Sequence, residues 1–328
     1  MTERSPQNGA VRSYHGQPVI KPPVWTWEIP VYFFTGGLAG ASAGFAYLNQ
    51  RRGNQVLAKR AWATATAAVL PSPALLTSDL GRPERFLNML RMFKLTSPMS
   101  VGSWILSASG ATTALAALNA WTGALPRLSR PAAPAAALLG LPLSTYTGAL
   151  IANTAVPAWH ESRRLLPFVF GSGAALSAGA AALILTPPES AAPARRLALA
   201  GAVLEAGLKQ TMERRLGELG EPYQQGPGHR WGQIAERCLA GGTALVAARG
   251  RRSRTAAAVG GGLLLAGGLA ARWSVFKAGV ESASDPKHVV GPQRGAITRG
   301  QRRGGARRRA RADAGDPSLG SPASAVRA

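Results

Sequence analysis

Charge in this chain is gathered into short clusters, and the stretches between them carry none. Residues 29–50, 95–126, 131–159 and 165–188 hold no Asp, Glu, Lys or Arg at all. This segregation constrains the fold more than any single motif. A soluble helix keeps one wet face, so its charges recur every few residues. Here whole helices' worth of chain have no wet face. At 1.5 Å rise per residue, 29–50 reaches about 33 Å, enough to cross a hydrocarbon core of about 30 Å. The expectation is an all-α integral membrane protein. A mean hydropathy of +0.02 conceals this, because a formal net charge of +23 on 328 residues is packed into the intervals.

Five spans are strong by hydropathy: 29–50, 61–80, one within 95–126, one within 131–159, and 165–188. Three more are interrupted. Residues 197–212 contain Glu205 and Lys209, 234–248 begin with Glu236 and Arg237, and 255–276 carry Arg272 near the end. The total is about eight. In the first span Gly36, Gly40 and Gly44 recur at four-residue spacing, which lets a neighbouring helix approach closely. Pro71 and Pro73 predict a kink in the second. Gly81 then fits a helix stop and Pro83 a helix start. Beyond Pro83, the residues Phe86, Met89, Leu90 and Phe93 share one face, which predicts a short amphipathic helix in the membrane interface.

The composition closes off several function classes. A lone cysteine, Cys238, excludes an internal disulfide and any all-cysteine iron–sulfur or zinc site. His15, His160, His229 and His288 lie away from the middle of the uncharged runs, where a membrane haem would need its ligands. The expectation is therefore a chain without haem, metal or iron–sulfur cluster. Residues 1–24 are polar and lack the apolar core of a signal peptide. Residues 25–290 form the membrane domain. Residues 291–328 carry nine Arg and two Asp, a disordered basic tail by composition. The tail lacks aromatic interleaving, so contact with anionic lipid is expected rather than specific nucleic-acid binding.

If successive spans alternate in direction, the motifs sort by side. One side gathers Trp25, Trp27 and Glu28, then SDLGRPERF (78–86), then Trp159, His160 and Glu161. The other receives short basic loops: Arg51, Arg52, Lys59 and Arg60, then Arg127 and Arg130, then Arg249 to Arg254. Basic loops mark the cytoplasm, so the motif-rich side is expected to face outward.

Four segments carry a family likeness: WTWEIPVYFFTGGLAG (25–40), SPALLTSDLGRPERFLNMLRMFKLTSPMSVGSW (72–104), LPLSTYTGALIANTAVPAWHESRR (141–164) and FKAGVESASDPKHVVGPQR (276–294). Together they resemble the NrfD/PsrC-type membrane subunit of polysulfide-reductase-like molybdoenzyme complexes. The resemblance implies about eight transmembrane helices in two four-helix bundles, in a bacterial plasma membrane. It implies a subunit that is not an enzyme on its own. Such a subunit exchanges electrons between menaquinone or ubiquinone and a ferredoxin-like four-cluster iron–sulfur partner. That partner in turn carries a molybdopterin subunit acting on polysulfide, nitrite, formate or a similar small substrate. Two other readings stand beside this one: a proton-coupled transporter, and a redox-inactive structural anchor.

The site candidates follow from the same comparison with the residues. Tyr146 falls where the family has a quinone-contacting tyrosine; its phenol either donates to a quinone carbonyl or bonds to backbone inside the bundle. Glu205, an acid at membrane depth, either transfers protons or pairs with Lys209 four residues on. On the first helix, where some relatives carry histidine and asparagine as quinone partners, this chain has no histidine, and Glu28 and Thr35 are the nearest polar residues. Thr35 and Asn153 also have a plain reading, as side chains bonded to helix carbonyls. His160 stands at the mouth of the fourth span. Asp79, Arg82, Glu84, Arg85, Trp159 and Glu161 are candidates for partner docking or for shaping the docking surface.

Overall fold

The computed structural model describes residues 19–79 and 83–290, and within the latter the side chains of 83–85 and 87 fall outside the description. Gly81 and Arg82, the side chains of Glu84 and Arg85, His15 and the 291–328 tail therefore lie outside the described residues. Among the described residues the chain is all-helical. The helices are α1 (Glu28–Arg51), α2 (Gln55–Val69), α3 (Pro71–Ser78), α4 (Pro98–Thr122), α5 (Pro126–Ala152), α6 (Pro157–Glu161), α7 (Leu166–Leu185), α8 (Ala192–Leu216), α9 (Glu221–Gln224), α10 (Gly226–Arg249) and α11 (Arg254–Ser284).

Local chemistry sets the boundaries. Asn54, Ser97 and Ser253 cap α2, α4 and α11 by accepting from Leu57 N, Ser100 N and Ala256 N, at 3.2, 3.4 and 3.1 Å. Gly123, at φ +73°, ends α4 in the left-handed region that glycine enters without strain. Pro71 breaks the second rod into α2 and α3, as the two prolines predicted.

Counting α2 and α3 as one, eight long rods result, and they pack in two groups. The first is α1, α2/α3, α4 and α5; the second is α7, α8, α10 and α11. Helix α7 touches both α1 and α5, which joins the groups. The glycine spacing on α1 works through Gly40, whose hypothetical Cβ would run into Gly140 O of α5 and lie 3.0 Å from Ser144 N. Here two backbones touch without side chains between them. Gly36 instead is covered by the Tyr32 ring of its own helix.

Among the described residues, five helices are long and apolar enough to cross a membrane: α1, α4, α5, α7 and α11. This differs from the sequence expectation in one pair. The 61–80 span drops out, because the Pro71 break leaves two short helices, and the 255–276 span takes its place. Mid-helix side chains point outward where a soluble protein would bury them. Leu138, Leu141 and Val203 are each more than 60% exposed, a surface suited to lipid.

The expected amphipathic α-helix is a 3₁₀ turn, Pro83–Leu90. It begins at Pro83 as predicted but stops before Phe93. That ring is exposed and meets Trp104 edge-on, 6.2 Å between centroids.

Candidate functional site

Contacts between chain-distant ends show which ends share a face. Thr26 N–H donates to Asp79 Oδ1 at 3.4 Å, joining the start of α1 to the end of α3. Trp25 stacks on Trp159 at 5.9 Å, and Trp159 packs against Phe276 at 6.4 Å. Ala158 N–H donates to Ser282 Oγ at 3.3 Å, so α6 docks on the end of α11. On the opposite face, Asn54 donates to Ser190 O at 3.0 Å, and the Arg254 guanidinium reaches Thr186 O and Ile184 O. The aromatic and acidic motifs do gather on one face, and the basic loops on the other.

The centre of the motif-rich face is a sealed aromatic plug. Trp159 is fully buried, and its indole N–H donates to Val275 O at 2.8 Å. Gly279 makes room for the ring: a Cβ there would collide with the indole. Trp159 is thus a packing residue beneath the surface. Its neighbours His160 and Glu161 are exposed, and Glu161 pairs loosely with Arg163 at 3.7 Å. Asp79 sits half-sheltered beside Glu28, and burial pushes its carboxyl above the usual range. Glu28 accepts from the Thr26 hydroxyl.

Just beyond the end of α11, Lys287 Nζ lies 2.7 Å from Glu221 Oε2, and His288 Nε2 lies 3.3 Å from it. The lysine contact holds the Glu221 carboxyl below the usual range. A lowered folded-state value means that this contact stabilises fully above the ordinary glutamate value. Its contribution is lost as pH falls through the lowered one. Amide protection factors in residues 285–290, corrected for the intrinsic pH dependence of exchange, should fall on acidification into that range and not on mild alkalinisation.

The second structure of interest lies deep in the second helix group. Glu205 of α8 and Arg272 of α11 are 1% and 2% exposed, and Arg272 Nη1 lies 3.3 Å from Glu205 Oε1. Arg272 Nη2 donates to Phe170 O of α7 at 2.9 Å, and its guanidinium lies 4.3 Å from the Phe170 ring centroid. Gly173 gives the pair its space, because a Cβ there would clash with both charged groups. The pair is incompletely satisfied: among the described residues, Glu205 Oε2 and Arg272 Nε have no hydrogen-bond partner. Glu205 also lines a cleft of about 700 Å³ between α8 and α10.

That cleft is graded along its length. Toward the motif-rich face it presents Lys209, Glu213 and Glu236, with Lys209 Nζ 2.7 Å from Glu236 and 3.6 Å from Glu213. Deeper, its walls are Ala202, Val203, Leu239, Ala240 and Ala244. On α8, Glu205, Lys209 and Glu213 follow one ridge at four-residue spacing, about 6 Å apart. The cleft therefore offers hydrogen-bond donors and acceptors at one end and an apolar slot at the other, with a buried carboxylate beside it.

The sequence candidates are thus not assembled in one pocket. The Tyr146 hydroxyl donates to Pro98 O at 2.8 Å, and its ring fills the gap left by Gly102. Thr35 Oγ1 lies 3.2 Å from Ser72 Oγ, tying α1 to α3. Glu205 stands apart, in the other helix group. Of the two readings for Glu205, the local pair with Lys209 is not formed: Lys209 serves Glu213 and Glu236, and Arg272 holds Glu205. Four-residue spacing favoured Lys209, but an ammonium on the same ridge points along the cleft rather than into the bundle. Arg272 and Gly173 were missed as site residues. The signal for Arg272 was present, a lone cation near the end of an otherwise uncharged run.

Compared with known proteins, the chain matches the family model described as "Polysulphide reductase, NrfD" over residues 14–188. No curated protein matches it. The matched stretch covers just over half of the chain, including α1 to α7.

Proposed function

This chain belongs to the NrfD family of polysulphide reductases, and from that membership we propose that it is the quinone-reactive anchor of a respiratory oxidoreductase complex. It is a multi-pass membrane protein. In our reading all eight rods cross a bacterial plasma membrane, with the motif-rich face outward and the basic loops in the cytoplasm. The motif-rich face docks a four-cluster iron–sulfur subunit, which carries a molybdopterin subunit. Electrons pass between the quinone pool and the nearest cluster of that partner.

The observation that carries the site assignment is the graded cleft between α8 and α10. Its volume lies in the range of small-molecule sites. We place the quinone head at the Lys209–Glu213–Glu236 end, nearest the docking face, and the isoprenoid tail along the alanine walls. Lys209 donates to a quinone oxygen, and Glu213 accepts from a quinol hydroxyl. Glu205, one turn deeper with a free Oε2, holds the proton, and Arg272 balances its charge. Tyr146 is left as a packing residue, because its hydroxyl is already committed to Pro98 O.

The test is quinol-analogue turnover by the purified complex. Lys209→Gln and Glu205→Gln should each lower turnover about 100-fold, the scale of a lost general acid or base, while the subunits still co-purify. Tyr146→Phe should turn over at the wild-type rate. Loss of turnover in Tyr146→Phe with normal rates in the other two would move the quinone to the α4–α5 side. Normal rates in all three would remove this site assignment, and a wild-type complex that assembles but turns over no quinol would leave the chain as a structural anchor.

A further inference from the structure

A second cavity, of about 300 Å³, opens on the motif-rich face where α7 begins and α8 ends. Arg163, Arg164 and Arg215 stand around it together with one acid, Glu161, and Ser162, and Leu165, Met212 and Leu216 contribute its apolar lining. Arg163 is engaged, donating to His160 O at 3.1 Å and facing Glu161 at 3.7 Å. Arg164 and Arg215 are exposed and, among the described residues, make no ion pair or side-chain hydrogen bond. Guanidinium groups crowded in this way repel one another and present fixed N–H forks that match phosphate oxygens.

What lies beneath the arginines narrows the anion. On α8, Arg215, Thr211, Leu208 and Leu204 follow one another on a single face by helical spacing. Leu204 is 58% exposed, and Phe168, one turn into α7, is 63% exposed. A cationic rim therefore stands over an apolar flank, at the end of two membrane helices. A soluble phosphate would use only the rim. An acidic peptide would use only the rim too, and would leave the flank bare. A phospholipid uses both.

We propose that this cavity binds the headgroup phosphate of an anionic phospholipid, with its acyl chains lying along Leu204 and Phe168. The assignment does not depend on where the quinone sits. It would place one bound lipid at the margin of the docking face.

The test uses the full-length chain in its complex, reconstituted in vesicles of phosphatidylcholine with a minor fraction of phosphatidylglycerol. After mild extraction, native mass spectrometry should show one retained phosphatidylglycerol. Arg164→Gln with Arg215→Gln should lower retention about tenfold or more, and Arg251→Gln with Arg252→Gln on the opposite face should not. A benzophenone amino acid at position 168 should crosslink to the acyl chain, which reads the site without removing any arginine. Equal retention in the Arg164/Arg215 variant, or no crosslink from position 168, would overturn the proposal. So would displacement of the lipid by inorganic phosphate alone, which would make the site one for soluble phosphate. Loss of the iron–sulfur partner with lipid retained would show a protein contact and would also overturn it.

Discussion

Arg272→Ala is expected to destabilise the folded chain by about 3–5 kcal/mol, the cost of leaving a buried partner charge uncompensated. The change removes the cation facing Glu205, the donor to Phe170 O and the guanidinium packed on the Phe170 ring. Glu205 then remains 1% exposed, with neither oxygen paired to a cation inside the bundle. Glu205→Gln should cost less, because an amide keeps an acceptor for Arg272 and carries no charge. Replacing both residues by leucine should recover much of the loss, since a buried ion pair adds little net stability over apolar packing. Thermal unfolding midpoints in detergent would order the three variants. A midpoint for Arg272→Ala equal to wild type, or a double variant no better than the single, would rule this account out.

Trp159→Ala should be nearly as damaging, about 3–5 kcal/mol, as is typical of emptying a buried tryptophan site. The ring is fully buried, is stacked on by Trp25, packs against a tilted Phe276 ring, and fits over Gly279. Its loss frees α6 from α11 at the middle of the motif-rich face. Hydrogen exchange should rise together in residues 154–162 and 275–283. Trp27→Ala makes the control, because that ring is 60% exposed. If both variants shift the unfolding midpoint equally, the plug does not hold the face together.

The sequence made the helices legible because membrane helices announce themselves by what they lack. Runs free of charge marked α1, α4, α5 and α7 directly. Even the interrupted runs around Glu205 and Glu236 prove to lie in long helices, α8 and α10. The Pro71 break was also readable, since a missing N–H is a local fact. Partner choice was not. Glu205 had a lysine at helical spacing and an arginine 67 residues away, and only the packing of α8 and α11 on a shared neighbour, α7, decides between them. The same holds for Tyr146, whose acceptor, Pro98 O, lies 48 residues back across a helix pair. Local rules rank neighbours along one helix, whereas the site is set by which helices face each other. The depth of Trp159 was hidden for this reason as well. In sequence it stands among His160, Glu161 and two arginines, and it reads as surface.

The glycine contact between α1 and α5 has a mechanical consequence. Gly40 lies almost halfway along α1, about 18 Å from its start at Glu28 and about 16 Å from its end at Arg51. Two backbones in contact can neither slide apart cheaply nor interpenetrate, so the crossing acts as a fulcrum with arms of nearly equal length. A tilt of about 5° would carry the two ends of α1 about 1.5 Å in opposite directions. Load applied at Trp25 and Glu28 by a docking subunit would thus appear, with reversed sign, at the Arg51–Arg52 turn across the bundle. Spin labels at positions 24 and 53, read with and without the partner, would measure that displacement.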